Sequence, residues 1–113
     1  MTLEMLTAYG ANTKEGMQRC LNNEAFYLRM VKMIPGDANF GKLYAAVDAG
    51  DLTAAFEAAH AIKGSTGNLA LTPIYKPVSE ITELLRTRTE TDYSELIGAI
   101  RDGHERLKEI CAK

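Results

Sequence analysis

The chain has 113 residues, of which 46% are hydrophobic and 25% are charged. This length suits one domain rather than two, and the composition is that of a folded protein rather than a disordered one. The 13 Lys and Arg residues against 15 Asp and Glu give a net charge of -2, without the basic excess of a nucleic-acid-binding protein. No apolar run approaches the roughly 18 residues that cross a bilayer, and Glu4 stands where a secretory signal would be basic. We therefore expect one cytoplasmic domain over residues 1–113 that binds neither nucleic acid nor membrane.

Helical periodicity runs along the whole chain, and no segment alternates with period two as a strand does. Capping residues and breaks predict five helices, over residues 3–9, 12–21, 24–34, 37–49 and 92–111. The breaks are short, so consecutive helices should pack as antiparallel neighbours. The predicted fold is all-α, an up-and-down antiparallel four-helix bundle with its core over residues 13–111 and one or more short additional N-terminal helices.

The helix that begins at Asp51 has two interpretations. The run Gly64-Ser65-Thr66-Gly67-Asn68 has the composition of a turn, which would end the helix at Lys63. Helical spacing of apolar residues nevertheless continues through it, at Leu52, Ala55, Ala59, Ile62, Thr66 and Leu69. This continuous face favours one unbroken helix to about Ala70, with the turn as the alternative.

Two prolines complicate the next segment. Pro73 suits the first turn of a helix, but Pro77 inside a helix would cost about 3 kcal/mol. We therefore predict an irregular turn over residues 72–76 and a regular helix from Pro77 to about Arg88. The last helix is predicted to open near Asp92, with Glu95 completing a capping box, and to run to about Cys111.

On an unbroken helix, His60 points away from the apolar face. Lys63, Gly64 and Gly67 follow it at i+3, i+4 and i+7 and are its surface neighbours. A glycine inside a helix costs roughly 0.5–1 kcal/mol relative to alanine, so two beside one histidine need a reason. Their missing side chains would let a partner approach the imidazole, and Lys63 could offset the charge of a phosphoryl group on a ring nitrogen. The spacing alone fits a solvated histidine beside incidental glycines equally well.

The run His60-Ala61-Ile62-Lys63-Gly64-Ser65 resembles the signature of histidine-containing phosphotransfer (HPt) domains, which is His, two residues, Lys-Gly and a small residue. Further stretches are similar to the family, namely Thr66-Gly67-Asn68-Leu69, Gly50-Asp51-Leu52 and residues 15–23. The resemblance extends from about Thr13 to Cys111 and is specific only around His60. Pro73 and Pro77 depart from the regular helix of the family.

The resemblance implies a helical bundle in a two-component phosphorelay. His60 would accept a phosphoryl group from a receiver-domain aspartate and pass it to another receiver. Lys63 would stabilise the phosphoryl charge, while Gly64 and Gly67 would give the receiver clearance. The family implies a phosphocarrier rather than an enzyme, with no ATP or metal site and no cofactor of its own, because Mg²⁺ belongs to the receiver. The expected partners are response-regulator receiver domains or a hybrid sensor histidine kinase, and the expected state is a monomer.

Two other functions stay open from the sequence. A helical adaptor would bind a signalling partner without phosphorylation. A small metal or acid–base enzyme has little support, because one exposed histidine has no paired carboxylate. The side chains of Phe26, Tyr27 and Met30 could belong to a docking surface or to the core.

The remaining histidine and the cysteines are predicted to be structural. His104 lies on the apolar seam of the last helix, so we expect it at the edge of the core, hydrogen-bonded to a neighbour. Cys20 and Cys111 are far apart and make no metal-ligand spacing. We expect both to be free thiols that are buried or half-buried.

Overall fold

Seven α-helices and no strand make up the computed structural model, which describes all 113 residues. In chain order they are α1 (Leu3–Tyr9), α2 (Thr13–Arg19), α3 (Glu24–Met33), α4 (Ala38–Ala49), α5 (Leu52–Asn68), α6 (Thr72–Arg86) and α7 (Ser94–Cys111), with a 3-10 turn at Ile34–Gly36. Helices α4 to α7 pack against one another in succession, which confirms the predicted helical bundle. None of the helices has the length and apolarity needed to cross a membrane.

Besides Thr2 at the start of α1, side-chain caps determine where four further helices begin. Asn12, Asn23, Asp37 and Asp51 each accept a hydrogen bond from a backbone amide in the first turn, at 2.9 to 3.2 Å. Such a cap satisfies an amide that has no partner within its helix. Gly50 closes α4 in the left-handed conformation, with φ of 74°. These positions confirm the helix starts predicted from the sequence.

Tyrosines tie the three N-terminal helices to the bundle. The Tyr27 hydroxyl on α3 donates to the carbonyl of Leu69 at 2.9 Å, just beyond the end of α5. A side chain on Gly16 of α2 would place its Cβ 2.6 Å from the Tyr27 ring, so glycine is needed for this contact. Likewise, the Tyr9 hydroxyl on α1 donates to the carbonyl of Gly103 at 2.7 Å. Helices α2 and α3 are therefore fixed against the C-terminal end of α5.

The aromatic residues of α3 divide between core and surface. Tyr27 is fully buried, whereas Phe26 is 39% exposed and Met30 is half-buried. Burial, and to a smaller extent the charge of Cys20, raise the pKa of Tyr27 to about 12. Tyr27 thus belongs to the core and is not free to contact a partner.

The irregular turn predicted over residues 72–76 is wrong, because α6 is helical from Thr72 and contains Pro77. Pro77 lacks the amide that would bond to the carbonyl of Pro73. That carbonyl instead faces α7 at Gly103, where an added Cβ would lie only 2.9 Å from its oxygen. The helix is held by the full burial of its inner face, formed by Ile74, Val78, Ile81 and Leu85. This burial outweighs the loss of one hydrogen bond.

The last helix begins close to its predicted start near Asp92, but the capping box predicted there is wrong. Helix α7 begins at Ser94, and the expected capping box between Asp92 and Glu95 does not form. Instead, the Asp92 carboxylate accepts a hydrogen bond from the Ser94 amide at 2.9 Å. Hydrogen bonds from Ser94 lower the pKa of Asp92. A short Asx turn therefore replaces the first predicted helical turn.

His104 lies at the edge of the core, as predicted. Its Nδ1 is 3.2 Å from the Tyr44 hydroxyl and its Nε2 is 2.8 Å from the Pro35 carbonyl oxygen. The imidazole also stacks on Phe40, with ring centroids 3.9 Å apart. Both ring nitrogens are therefore engaged within the chain.

The two cysteines are free, as expected. Cys20 is buried and Cys111 is half-buried. Burial raises the pKa of the Cys111 thiol, which keeps it protonated and unreactive near neutral pH.

Candidate functional site

Helix α5 is unbroken from Leu52 to Asn68, so the alternative of a turn after Lys63 is wrong. The residues that suggested a turn are satisfied inside the helix, since the Ser65 and Thr66 hydroxyls both donate to the Ile62 carbonyl, at 3.2 and 2.7 Å. Because these hydroxyl groups bond to a carbonyl within the helix, they do not draw the backbone into a turn. The apolar face is buried as its spacing predicted from Ala55 to Leu69, including Thr66, while Leu52 at its start is half-buried.

This continuous helix brings His60, Lys63 and Gly64 together on the surface of the bundle. His60 and Gly64 are exposed, and Lys63 is half-buried. A Cβ on Gly64 would meet no atom within 4 Å, so the space beside the imidazole is open. On its other side, the His60 ring stacks on Phe56, with centroids 5.6 Å apart and an interplanar angle of 26°. The imidazole is thus supported from within the chain and accessible from outside.

Gly67 differs from Gly64 in what occupies the space beside it. A Cβ at Gly67 would lie 2.7 Å from the ring of Tyr75 on α6. The missing side chain therefore admits an aromatic residue of the same chain. Of the two glycines predicted to give a receiver clearance, Gly64 alone leaves open space.

A cleft of about 580 Å³ adjoins His60 between α2, α5 and the start of α6. On the α2 side it is lined by Glu15 and Arg19, which form an ion pair. The Arg19 guanidinium also donates to the carbonyl of Gly67, near the C-terminal end of α5. A cation there complements the partial negative charge of the helix end.

The place of α2 beside His60 was not predicted from the sequence. The one sequence signal for this contact is the i, i+4 spacing of Glu15 and Arg19. That spacing indicates a surface ion pair, but it does not show that the pair lies against the end of α5.

A second charged group lies around Phe56, the ring that stacks on His60. The guanidinium carbons of Arg86 and Arg88 lie 5.2 and 4.9 Å from the centroid of the Phe56 ring. Arg86 also donates from Nε to the Glu83 carboxylate at 3.0 Å. This hydrogen bond and the charge of Arg86 are the largest causes that lower the pKa of Glu83, and the charges of Lys63 and His60 act in the same direction. The Glu83 carboxylate on α6 is therefore held in its ionised form, close enough to His60 for the charge of the imidazole to act on it.

No group of three or more His, Cys, Asp or Glu side chains is arranged to hold a metal ion. The groups that the site itself offers are the imidazole of His60 and the charges around it. A neutral imidazole is a nucleophile, and the cations beside it can balance the charge of an anionic group.

The family model of the Hpt domain matches residues 36–110, which include α4 to α6 and all but the last residue of α7. The chain belongs to the Hpt domain family. A search of curated proteins and a search of solved structures gave no match. Hpt domains are phosphotransfer modules of phosphorelays, and they interact with receiver domains and histidine kinases.

This membership confirms the resemblance seen in the sequence and does not favour a passive adaptor. Helices α1 to α3 lie outside the matched range, although α2 forms one wall of the cleft beside His60.

Proposed function

We propose that this Hpt domain carries a phosphoryl group on His60, accepting it from a receiver-domain aspartate and passing it to another receiver. The observation that carries the proposal is the arrangement on α5, where an exposed imidazole is supported by Phe56 and flanked by Lys63 and the open surface at Gly64. Phosphoryl transfer depends mainly on positioning and on neutralising charge, and this arrangement offers both.

The transfer needs one nucleophile from this chain. A ring nitrogen of His60 attacks the phosphorus of the aspartyl phosphate, and the bond from phosphorus to the carboxylate oxygen breaks as the N–P bond forms. The Lys63 ammonium balances the charge on the phosphoryl oxygens. Mg²⁺ and the acidic residues that bind it belong to the receiver in this proposal. The reverse sequence of bond changes passes the group to the second receiver.

Incubation of the domain with a phosphorylated receiver tests the proposal. A phosphoryl label should appear on the domain, and it should be lost in acid but survive in base, as expected for a phosphohistidine. If several receivers give no label, the phosphocarrier function is contradicted.

Gly64→Leu should slow transfer from the receiver by about tenfold or more while leaving the bundle folded. The new side chain would fill the open space beside the imidazole and keep the receiver aspartate out of line with the ring nitrogen. Replacing a glycine within a helix also favours the helix, so no loss of stability is expected. The measurement is the initial rate of label transfer, together with thermal unfolding followed by circular dichroism.

Gly98→Leu is the matched control. Gly98 is also exposed within a helix, α7, and a Cβ there would likewise meet nothing within 4 Å. Equal transfer rates for the two variants would remove the role assigned to Gly64.

A further inference from the structure

The contacts between α5 and α6 fix which residues of the two helices lie side by side. Gly67 of α5 faces Tyr75 of α6. Eleven residues earlier in α5, Phe56 faces Arg86, which is eleven residues later in α6. The equal spacing is that of an antiparallel pair in constant register.

This register places Glu83 beside the histidine. His60 is seven residues before Gly67 and is therefore level with Thr82, which is seven residues after Tyr75. Thr82 is fully buried, so its exposed neighbour Glu83 is the α6 side chain that reaches the surface at the level of His60. The charges of both His60 and Lys63 act on its carboxyl group.

Glu83 is the one carboxylate placed this way by α5 and α6. Glu57, on the turn of α5 before His60, lines a groove with Lys42 on the α4 side of the bundle. Glu80 lines the groove between α6 and α7. Glu15 belongs to α2, where it pairs with Arg19 and lines the cleft beside His60, so its position is not fixed by the register of α5 and α6.

We propose that Glu83 and Arg86 set the stability of the phosphoryl group on His60, the carboxylate lowering it and the guanidinium raising it. The inference rests on the proposed phosphorylation of His60. Both residues act through space on the phosphoryl group and on the ring, so they are positioning residues rather than catalytic ones.

The physical reason is electrostatic. A phosphoryl group on His60 carries close to two negative charges, and Glu83 brings a further one to the same surface. The N–P bond also breaks most readily when the ring is protonated, and a nearby carboxylate favours the protonated ring. Arg86 neutralises part of this charge through its bond to Glu83, and its exposed guanidinium can also attract the phosphoryl oxygens.

The opposite effects of Glu83 and Arg86 bear on whether the domain stores the phosphoryl group or passes it on. A site with cations alone would store the phosphoryl group, because the phosphorylated state would be the lower in free energy. A carboxylate at the same level keeps the group ready for transfer to the next receiver. The pair therefore favours a carrier over a phosphate store.

Phosphoramidate tests the inference without any protein partner. A ring nitrogen of His60 attacks its phosphorus, the bond from phosphorus to nitrogen breaks, and ammonia leaves with the proton released by the imidazole. After removal of the reagent, the half-life of the phosphohistidine is followed in the intact domain at low ionic strength.

Glu83→Gln should lengthen this half-life by about two- to fivefold, the range expected for exposed charges on neighbouring helices. Arg86→Gln should shorten it by a similar factor, while Arg86→Lys, which keeps the charge, should stay close to the unmodified domain. All of these differences should shrink as salt is added, because salt screens exposed charges. A purely structural role would not produce opposite signs for the two partners of one ion pair.

Glu80→Gln is the matched control, since it removes the same charge from another face of α6. Equal half-lives for Glu83→Gln, Glu80→Gln and the unmodified domain would overturn the inference while leaving the phosphorylation of His60 intact. If phosphoramidate does not phosphorylate His60 in the domain without substitutions, the proposed function is contradicted. The inference is then contradicted with it.

Discussion

His60→Gln should abolish the acid-labile phosphoryl label that a phosphorylated receiver transfers to the domain. Glutamine is polar and of comparable length but lacks a nucleophilic ring nitrogen, so the N–P bond cannot form. His60 is exposed in the middle of a helix, and glutamine has at least as high a helix propensity. The variant should therefore unfold at nearly the same temperature as the unmodified domain, which circular dichroism can confirm.

The second histidine makes this test decisive. The chain has two histidines, and both ring nitrogens of His104 are engaged with Tyr44 and Pro35. His104→Gln should lose stability because it breaks these bonds, yet the folded protein should still accept the label. A label of equal strength on His60→Gln would disprove the assignment of His60. Loss of the label in His104→Gln alone would show that His104 is the phosphorylated residue.

Local patterns were sufficient to predict most helix boundaries and the face on which His60 lies. Caps such as Asn12, Asn23 and Asp51 depend on residues within one turn, and that information is contained in the sequence itself. The apolar spacing through Thr66 correctly outweighed the turn-like composition of α5 because burial of a whole face exceeds a local propensity.

The predictions from sequence were wrong or incomplete at positions whose structure depends on a residue in another helix. Pro77 is accommodated in α6 because Gly103, in another helix, leaves room for the Pro73 carbonyl. Gly67 is needed for Tyr75, a contact between two helices that spacing along α5 cannot reveal. Glu83 and Arg19 were missed for the same reason, since their positions beside His60 depend on the register and docking of other helices.

Lys63→Ala should weaken transfer to His60 by about 1–3 kcal/mol, which corresponds to about 5- to 150-fold in rate. Lys63 makes no ion pair in the structure, so its ammonium is free to meet a phosphoryl group on His60, one turn earlier in the helix. A hydrogen bond between charged groups that forms during transfer favours the transition state, and removing it should lower the rate of the chemical step. The measurement is the single-turnover rate of label transfer at saturating domain, which separates this step from binding of the receiver.

Two comparisons show whether charge, rather than packing, causes the loss. Lys63→Gln keeps a long polar side chain without the charge, so it should be nearly as slow as Lys63→Ala, whereas Lys63→Arg should recover a large part of the rate. Lys108→Ala removes a lysine from the last turn of α7, a helix that packs on α6 rather than on α5, and should transfer at the rate of the domain without substitutions. If Lys63→Ala and Lys108→Ala transfer equally fast, the charge on the phosphoryl group must be balanced during transfer without Lys63. Lys63 would then have no part in the reaction.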